Sequence, residues 1–317
     1  MLVRDCREEG RAHKTGKSRV PQLQFGGIVP IAGHTPVMSL GHDTIISLGS
    51  KLPPALGIFG RLRLMLDDAD CDLDEIVELL RVDPALTFQI IRLSNSALYG
   101  LRSRSQSLDE AVARVGFGEI HQLVGLIVSR QMFQGDLTLY GIPAGRLWEN
   151  SVAIGALASA FATRAGGNAG SAYSSGLLRS LGKIILNNYT GAVAYPGEAA
   201  QPDVFGWEKS VHGTTSPEVT AVLLDHWRFA FDISGAICTH VTPEAAGEFT
   251  SGAATLHLAS AFAAEWGCAL PGETTCWRRD AAMCALAGLE EAQLEGAVAD
   301  ARQQFSKFAV IEWSQAA

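Results

Sequence analysis

The sequence has no paired cysteines, and this absence excludes a disulfide scaffold or a typical zinc module. Its six cysteines stand without any Cys-x-x-Cys motif, and 317 residues suffice to fold without disulfides. Cys268, Cys276 and Cys284 recur at equal spacing, which leaves a metal or redox cluster open. Zinc ligands normally come in close pairs, so we interpret these cysteines as reduced thiols of a cytoplasmic protein.

Apolar segments long enough to cross a membrane are also missing. The first 20 residues mix acidic and basic side chains and contain no hydrophobic core, so no signal peptide is predicted. The weakly charged run over residues 20–42 is interrupted by prolines and glycines, which prevent a regular spanning helix. We therefore expect a cytoplasmic protein without membrane contacts.

An excess of basic residues is missing as well. Lys and Arg number 25 against 33 Asp and Glu, which gives a formal net charge of −8. The arginines of the first half could follow a nucleic-acid backbone, but acidic residues are interleaved with them, so a solvated helical surface is expected. These arginines are Arg61, Arg63, Arg81, Arg92, Arg102 and Arg104. No nucleic-acid partner is predicted.

The sequence does contain strong helical periodicity. Hydrophobic residues make up 47% of the chain, and from Lys51 onward they recur every three or four positions. Strand patterns are missing except for an ambiguous tail at 308–313, so the predicted fold class is all-α. Capping residues predict where the first helices begin. Asp72 with Glu75, Asp83-Pro84 and a Ser107–Glu110 capping box predict helices at 73–81, 84–97 and 107–115.

The chain divides into several parts along its length. Residues 1–49 are rich in Gly, Pro and Ser, which is typical of a loosely packed leader or linker. We expect an N-terminal helical lobe over 50–140, a second lobe over 145–250 and closing helices over 251–317. Further helices are predicted at 148–165, 172–189, 250–266 and 277–305. Another helix is predicted to start at Ser216, and one more is predicted to follow Asp232, which would cap it.

Several short motifs are more specific than periodicity. The first half contains Asp83-Pro84-Ala85-Leu86-Thr87, Arg92-Leu93-Ser94-Asn95-Ser96-Ala97-Leu98-Tyr99-Gly100 and Ser107-Leu108-Asp109-Glu110-Ala111. The second contains Leu147-Trp148-Glu149-Asn150-Ser151, Gly176-Leu177-Leu178-Arg179-Ser180-Leu181-Gly182-Lys183 and Ala236-Ile237-Cys238-Thr239-His240. In order and spacing, these motifs resemble HDOD domains, the HD-related output domains of bacterial signalling proteins. The resemblance implies a two-lobed helical bundle whose second lobe is similar to HD-type phosphohydrolases.

HD-type phosphohydrolases bind divalent metal through histidines and an adjacent His-Asp pair, and the resemblance implies where those ligands would stand here. Asn150 takes the place of the first histidine and Ser216 that of a later one. Arg179 and Ser180 stand at the His-Asp pair, and His240 alone is kept. One imidazole beside a permanent guanidinium charge does not hold a catalytic metal, so we expect no metal, no cofactor and no catalysis.

The altered positions leave two interpretations open. Arg179 and Lys183 lie four residues apart on one helix face and could bind a nucleotide or another small anion. Alternatively both are solvated, or Arg179 pairs with a local carboxylate such as Glu149. His240 is either a relic ligand or, as we favour, a histidine satisfied by a neighbouring carbonyl or the helix dipole. The candidate ligand-binding residues of this vestigial pocket are Asn150, Arg179, Ser180, Lys183, Ser216 and His240.

By resemblance, the expected function is signal transduction or regulation without catalysis, in which helical surfaces contact signalling proteins. Two alternatives belong to other classes: a sensor that binds a nucleotide or small anion in the vestigial pocket and, less favoured, a divergent metal-dependent phosphohydrolase. Copurification with signalling proteins would support the first function, stabilisation by a nucleotide the second, and metal-dependent phosphoester cleavage the third. Kinship of fold alone does not choose among them.

Overall fold

The computed structural model describes residues 40–96, 99, 104–189 and 193–309. Across these residues the regular secondary structure is helical, apart from one isolated antiparallel bridge between Leu137 and Ile142. The predicted all-α fold class is confirmed. Most of the predicted leader, residues 1–39, and most of the ambiguous tail lie outside the described residues.

Short helices joined by tight turns form the first half of the described chain. Local side-chain oxygens set where two of them begin, as predicted: Asp72 accepts the Glu75 N–H at 2.9 Å, and Asp83 accepts the N–H groups of Ala85 and Leu86. The helices are α1 His42–Gly49, α2 Ala55–Leu66, α3 Leu73–Arg81, α4 Pro84–Ser94, α5 Leu108–Val115 and α6 Phe117–Met132.

Two details of these helices differ from the prediction. α4 ends at residue 94 rather than 97, because the Asn95 side chain accepts the Ser105 N–H and donates to the Ser105 carbonyl. The Ser107 hydroxyl accepts the Glu110 N–H, but the Glu110 carboxylate binds a different backbone N–H, so only half of the capping box forms.

The second half is organised around the long, largely buried helix α7, which packs against α8, α13 and α15. α7 and α8 approach most closely where Gly176 faces Gly155: a Cβ on Gly176 would lie 2.6 Å from the Gly155 Cα. Buried apolar side chains of both halves form a continuous core. The helices are α7 Arg146–Arg164, α8 Ala169–Leu178, α9 Leu181–Asn187, α10 Val204–His212, α11 Ser216–His226, α12 Phe231–Thr239, α13 Thr250–Ala263, α14 Ala281–Leu286 and α15 Glu291–Ala309.

The predicted helix over 172–189 is wrong, because the chain forms α8 and α9 with a break at Arg179 and Ser180. The start of α9 packs directly against α11. Gly182 lies against the Ser216 carbonyl, where a Cβ would overlap the oxygen, and its N–H donates to Thr220 Oγ1 at 2.8 Å. These contacts join residues up to 38 positions apart, so the periodicity of one segment does not indicate them.

The loose leader does not extend to residue 49, which corrects that expectation. Residues 42–49 form α1, which packs on α9 and α11 with Ile45 buried. The predicted cap at Asp232 is also wrong. α12 begins at Phe231 after Ala230, and the Asp232 carboxylate accepts only the N–H of the next residue, Ile233.

Two further expectations need correction. The predicted helix over 277–305 is divided into α14 and α15, and Gly288 between them has a left-handed φ of 73° that a continuous helix excludes. Arg63 is buried rather than solvated and pairs with Asp67, the residue directly after α2. Arg61, Arg81 and Arg104 are exposed as expected, whereas Arg102 lies outside the described residues.

Within the described ranges, no helix alone has the length and hydropathy of a membrane span; α5 and α6 reach them only together, and the chain bends by 116° between the two. The predicted boundaries of the two lobes stay a prediction.

Candidate functional site

The candidate site lies at the break between α8 and α9. Arg179 directly follows the last residue of α8, and Lys183 lies in the first turn of α9. Only 2% of Arg179 and 1% of Lys183 is exposed. The expectation that these two cations are solvated is therefore wrong.

Arg179 is held by polar groups and by an aromatic ring. Its Nη2 donates to Glu273 Oε2 at 2.6 Å and to Asn150 Oδ1 at 3.1 Å. Its Nη1 lies 3.4 Å from His240 Nε2, and the guanidinium carbon lies 5.2 Å from the centre of the Trp277 ring. These contacts fix the direction of the guanidinium and engage both of its terminal nitrogens, whereas its Nε has no acceptor among the described residues.

Lys183 is enclosed in the same way. Its Nζ donates to Glu208 Oε1 at 3.1 Å and lies 3.3 Å from Glu273 Oε1, an ion pair without hydrogen-bond geometry. The ammonium group also faces the rings of Tyr140 and Phe205, at 4.7 Å and 5.0 Å from their centres. One hydrogen bond, a second carboxylate and two aromatic rings therefore surround the ammonium group.

Glu208 connects Lys183 to the start of α11. It is fully buried; its Oε1 accepts the Tyr140 hydroxyl at 2.9 Å and its Oε2 accepts the Ser216 N–H at 2.6 Å. Because Ser216 is the first residue of α11, the carboxylate lies at the positive end of that helix. Burial, and then this carboxylate, raise the pKa of the Tyr140 hydroxyl well above its ordinary value, so the hydroxyl remains a donor.

The charges of the site balance. Arg179 and Lys183 are cations, Glu208 and Glu273 are carboxylates, and each is at most 2% exposed. We call these four residues the buried charge cluster. Buried ions are tolerated when they are paired and hydrogen-bonded, whereas a phosphate added to this cluster would bring negative charge without a free cation to meet it.

The two ring nitrogens of His240 differ in protonation. Nδ1 lies 2.7 Å from the Ile237 carbonyl, which accepts only from a protonated nitrogen, so Nε2 carries the lone pair and faces Arg179. Burial, and then the Arg179 cation, lower the pKa of His240 well below its ordinary value. The neutral imidazole stacks on Trp277 with ring centres 5.4 Å apart. The prediction that a neighbouring carbonyl satisfies this histidine is confirmed.

The structure brings most of the predicted site residues together. Asn150 is buried. Its Oδ1 accepts a hydrogen bond from Arg179, and its Nδ2 donates to the Cys268 carbonyl at 2.7 Å. Ser216 joins the site through its backbone N–H. Ser180, the residue after Arg179, is buried, but its hydroxyl has no hydrogen-bond partner among the described residues.

The partner of Arg179 is not the predicted one. Glu149 is exposed and lies 3.4 Å from Arg146, so its proposed pairing with Arg179 is wrong. The true partner, Glu273, lies 94 residues away in the loop that follows α13, where no periodicity marks it. Glu208 did leave a signal: it stands between Val204 and Val211 on the apolar face of α10, and a buried acid needs a partner.

These residues do not fit the metal centre that the HD relationship implies. In the part of the chain that the structure describes, no three His, Cys, Asp or Glu side chains converge as metal ligands. His240 Nε2 faces a guanidinium, whose charge would repel a divalent cation. Cys268, Cys276 and Cys284 are free thiols, and burial raises the pKa of each.

Fold and site together define an all-helical, HD-like domain with a balanced charge cluster that includes Arg179 and lies beside the other positions implied for metal ligands. The sequence matches the HDOD domain family over residues 52–243, and the chain belongs to that family.

Solved structures share this fold. A candidate phosphohydrolase from Shewanella amazonensis SB2B is 23% identical with a TM-score of 0.62, covering 84% of this chain and 98% of that one. A candidate signal transduction protein from Marinobacter aquaeolei VT8 is 19% identical with a TM-score of 0.62, covering 84% and 64%. An HDOD domain protein of unknown function from Geobacter sulfurreducens is 21% identical with a TM-score of 0.56, covering 85% and 94%.

An uncharacterized protein of Treponema pallidum (strain Nichols) is 29% identical over 156 residues, which are 49% of this chain. The match spans about a quarter of that relative, 27% of its length, so the similarity concerns one region of a longer protein.

Proposed function

We propose that this protein is a non-catalytic regulatory domain of signal transduction that acts through contacts with other signalling proteins. The observation that carries the proposal is the balanced cluster of Arg179, Lys183, Glu208 and Glu273. Membership of the HDOD family and the name of the Marinobacter relative are consistent with a signalling role.

The chemistry of the cluster favours a structural over a catalytic role. Metal-assisted hydrolysis needs neutral imidazoles or carboxylates that converge on one cation and leave it a water ligand. Here the carboxylates Glu208 and Glu273 are engaged by cations, and the His240 lone pair faces Arg179. A sensor at this same site is supported less, since a nucleotide would have to displace those carboxylates.

A catalytic assay distinguishes a non-catalytic regulatory domain from a divergent hydrolase. The purified full chain is analysed for bound metal and incubated with a generic phosphodiester and with Mn²⁺ or Mg²⁺, beside an Arg179→Ala variant. We expect no bound metal and the same background cleavage in both proteins. Cleavage that depends on metal and is altered by the variant would overturn the proposal.

The partner contacts are tested by quantitative affinity capture from the source cells. We expect one or a few signalling proteins to copurify in fixed ratio with the full chain. A matched sample, in which the same bait is unfolded by heat, removes proteins that bind any exposed chain. If every captured protein binds both samples equally, the interaction proposal fails.

A further inference from the structure

A polar cavity of about 460 Å³ lies between α6, α7 and α15, and it shares no residue with the buried charge cluster. Side chains that can form hydrogen bonds make up most of its lining, and the volume lies in the range of small-molecule sites. The lining residues are Tyr99 before α5, Glu119 and Gln122 of α6, Ser159, Ala160 and Thr163 of α7, and Asp300, Gln303, Gln304, Lys307 and Phe308 of α15.

The lining contains charges of both signs that do not neutralise one another. Asp300 pairs with Arg164 of α7. Glu119 and Lys307 line the same cavity, but the side chain of neither forms an ion pair or a hydrogen bond with any described residue. Both side chains are exposed, so neither has to give up a partner when a ligand binds. One carboxylate and one ammonium group are therefore available together.

Tyr99, the tyrosine of the Asn95–Gly100 motif segment, adds a hydroxyl without a partner. Its oxygen is buried and has no hydrogen-bond partner among the described residues. Burial, and then the Glu119 carboxylate, raise the pKa of this hydroxyl above its ordinary value, so the hydroxyl keeps its proton. A buried hydroxyl without an acceptor destabilises the protein, and an oxygen atom of a ligand would relieve that cost.

Two carboxamides of the lining orient each other and join α6 to α15. Gln304 Nε2 donates to Gln122 Oε1 at 2.6 Å. This contact leaves Gln122 Nε2 as a donor and Gln304 Oε1 as an acceptor, and neither atom has a partner in the part of the chain that the structure describes. The lining thus offers both donors and acceptors, which suits a molecule that carries both.

We propose that this cavity binds a small zwitterion of the amino-acid class. Glu119 binds the ammonium group of the ligand and Lys307 its carboxylate, while the Tyr99 hydroxyl and the two carboxamides add neutral hydrogen bonds. A purely anionic ligand would meet the unpaired carboxylate of Glu119, and a purely cationic ligand would meet the ammonium group of Lys307. A ligand held here contacts α6, α7 and α15 together, and its binding is independent of contacts with signalling proteins.

Equilibrium dialysis of the full chain against a mixture of the standard L-amino acids measures this binding directly. We expect one or a few of them to be enriched on the protein side in saturable, equimolar amounts. The amine that lacks the carboxylate and the acid that lacks the amino group, each matched to the amino acid that binds, should bind about tenfold more weakly or not at all. No saturable enrichment of any amino acid overturns the proposal, and so does equal binding of the matched amine or acid.

Variants locate the binding. Glu119→Gln and Lys307→Gln each remove one unpaired charge from the lining and should weaken binding about tenfold or more. Both side chains are exposed, so the variants should fold as the wild type does, which circular dichroism verifies. The control is Glu295→Gln, at an exposed position of α15 outside the lining, which should leave binding unchanged. Equal binding by the wild type and both cavity variants would place the amino acid elsewhere and refute the site.

Discussion

Arg179 Nη2 and Glu273 Oε2 lie 2.6 Å apart and both side chains are almost fully buried, although the two residues are 94 positions apart in the sequence. The contact ties the break between α8 and α9 to the loop after α13. Because Glu273 also faces Lys183 at 3.3 Å, loss of its charge would leave two buried cations with only Glu208 to balance them.

Glu273→Gln should therefore destabilise the protein by about 3 kcal/mol, the cost of removing one partner from a buried ion pair. Urea unfolding followed by circular dichroism measures the change. The matched control is Glu265→Gln, since Glu265 also contacts an arginine, Arg279, at 2.6 Å, but in a pair that is about half exposed. That variant should cost less than about 1 kcal/mol. Equal losses in the two variants would contradict the assignment of a buried cluster.

A glycine at the start of α9 offers a second test. A Cβ at Gly182 would overlap the Ser216 carbonyl, so Gly182→Ala must push α9 away from α11 and should cost about 3 kcal/mol or more. Gly57→Ala is the control, because a Cβ in this turn of α2 meets nothing within 4 Å. It should be neutral or stabilising by up to about 1 kcal/mol, as alanine favours helix. The prediction fails if both alanines are tolerated equally in thermal unfolding.

The same glycine shows how far the sequence predicts the fold. Helix starts at Asp72 and Asp83 were predictable because the capping oxygen and the N–H it accepts lie within three residues of each other. The break after α8 was not, because it depends on the contact of Gly182 with a residue 38 positions away, Thr220, inside a segment whose periodicity is continuous.

The candidate site, too, could be predicted from the sequence only in part. The family resemblance pointed to Asn150, Arg179 and His240, and the structure places these three in contact. Which carboxylates neutralise the cations depended on the tertiary fold. Glu208 stands four residues after Val204 on one face of α10, and this spacing signals that it is buried. Nothing near Glu273 in the sequence indicates that its loop folds over Arg179.

Buried histidines should make the free energy of unfolding depend on pH. Burial, and then the nearby Arg63 cation, lower the pKa of His121 from 6.5 to about 3. Below pH 6.5 the unfolded chain therefore binds a proton that the folded chain does not, so stability is complete above that pH and falls as pH drops towards 3. The loss is at most about 1.4 kcal/mol per pH unit for each such histidine.

Variants separate the contribution of His121 to the pH dependence of stability from that of the acidic side chains. The difference in unfolding free energy between pH 7.5 and pH 5 should shrink in His121→Gln relative to the wild-type protein. In His226→Gln, at an exposed position of α11, it should stay as in the wild type. An unchanged difference in His121→Gln would mean that the folded protein already accepts a proton there.

The start of α11 gives a final prediction, because two different carboxylates meet its first N–H groups. Thr215 accepts the Glu218 N–H while Glu218 Oε2 accepts the Thr215 N–H at 2.9 Å, a complete capping box, and the neighbouring Ser216 N–H is left to Glu208. Thr215→Ala should cost about 1 kcal/mol, whereas Thr215→Ser keeps the hydroxyl and most of the stability. Because the cap fixes where the helix begins, its loss should also loosen the Ser216 contact, seen as faster hydrogen exchange of that amide in Thr215→Ala than in Thr215→Ser. Unchanged exchange in both would mean that Glu208 alone holds this end of the helix.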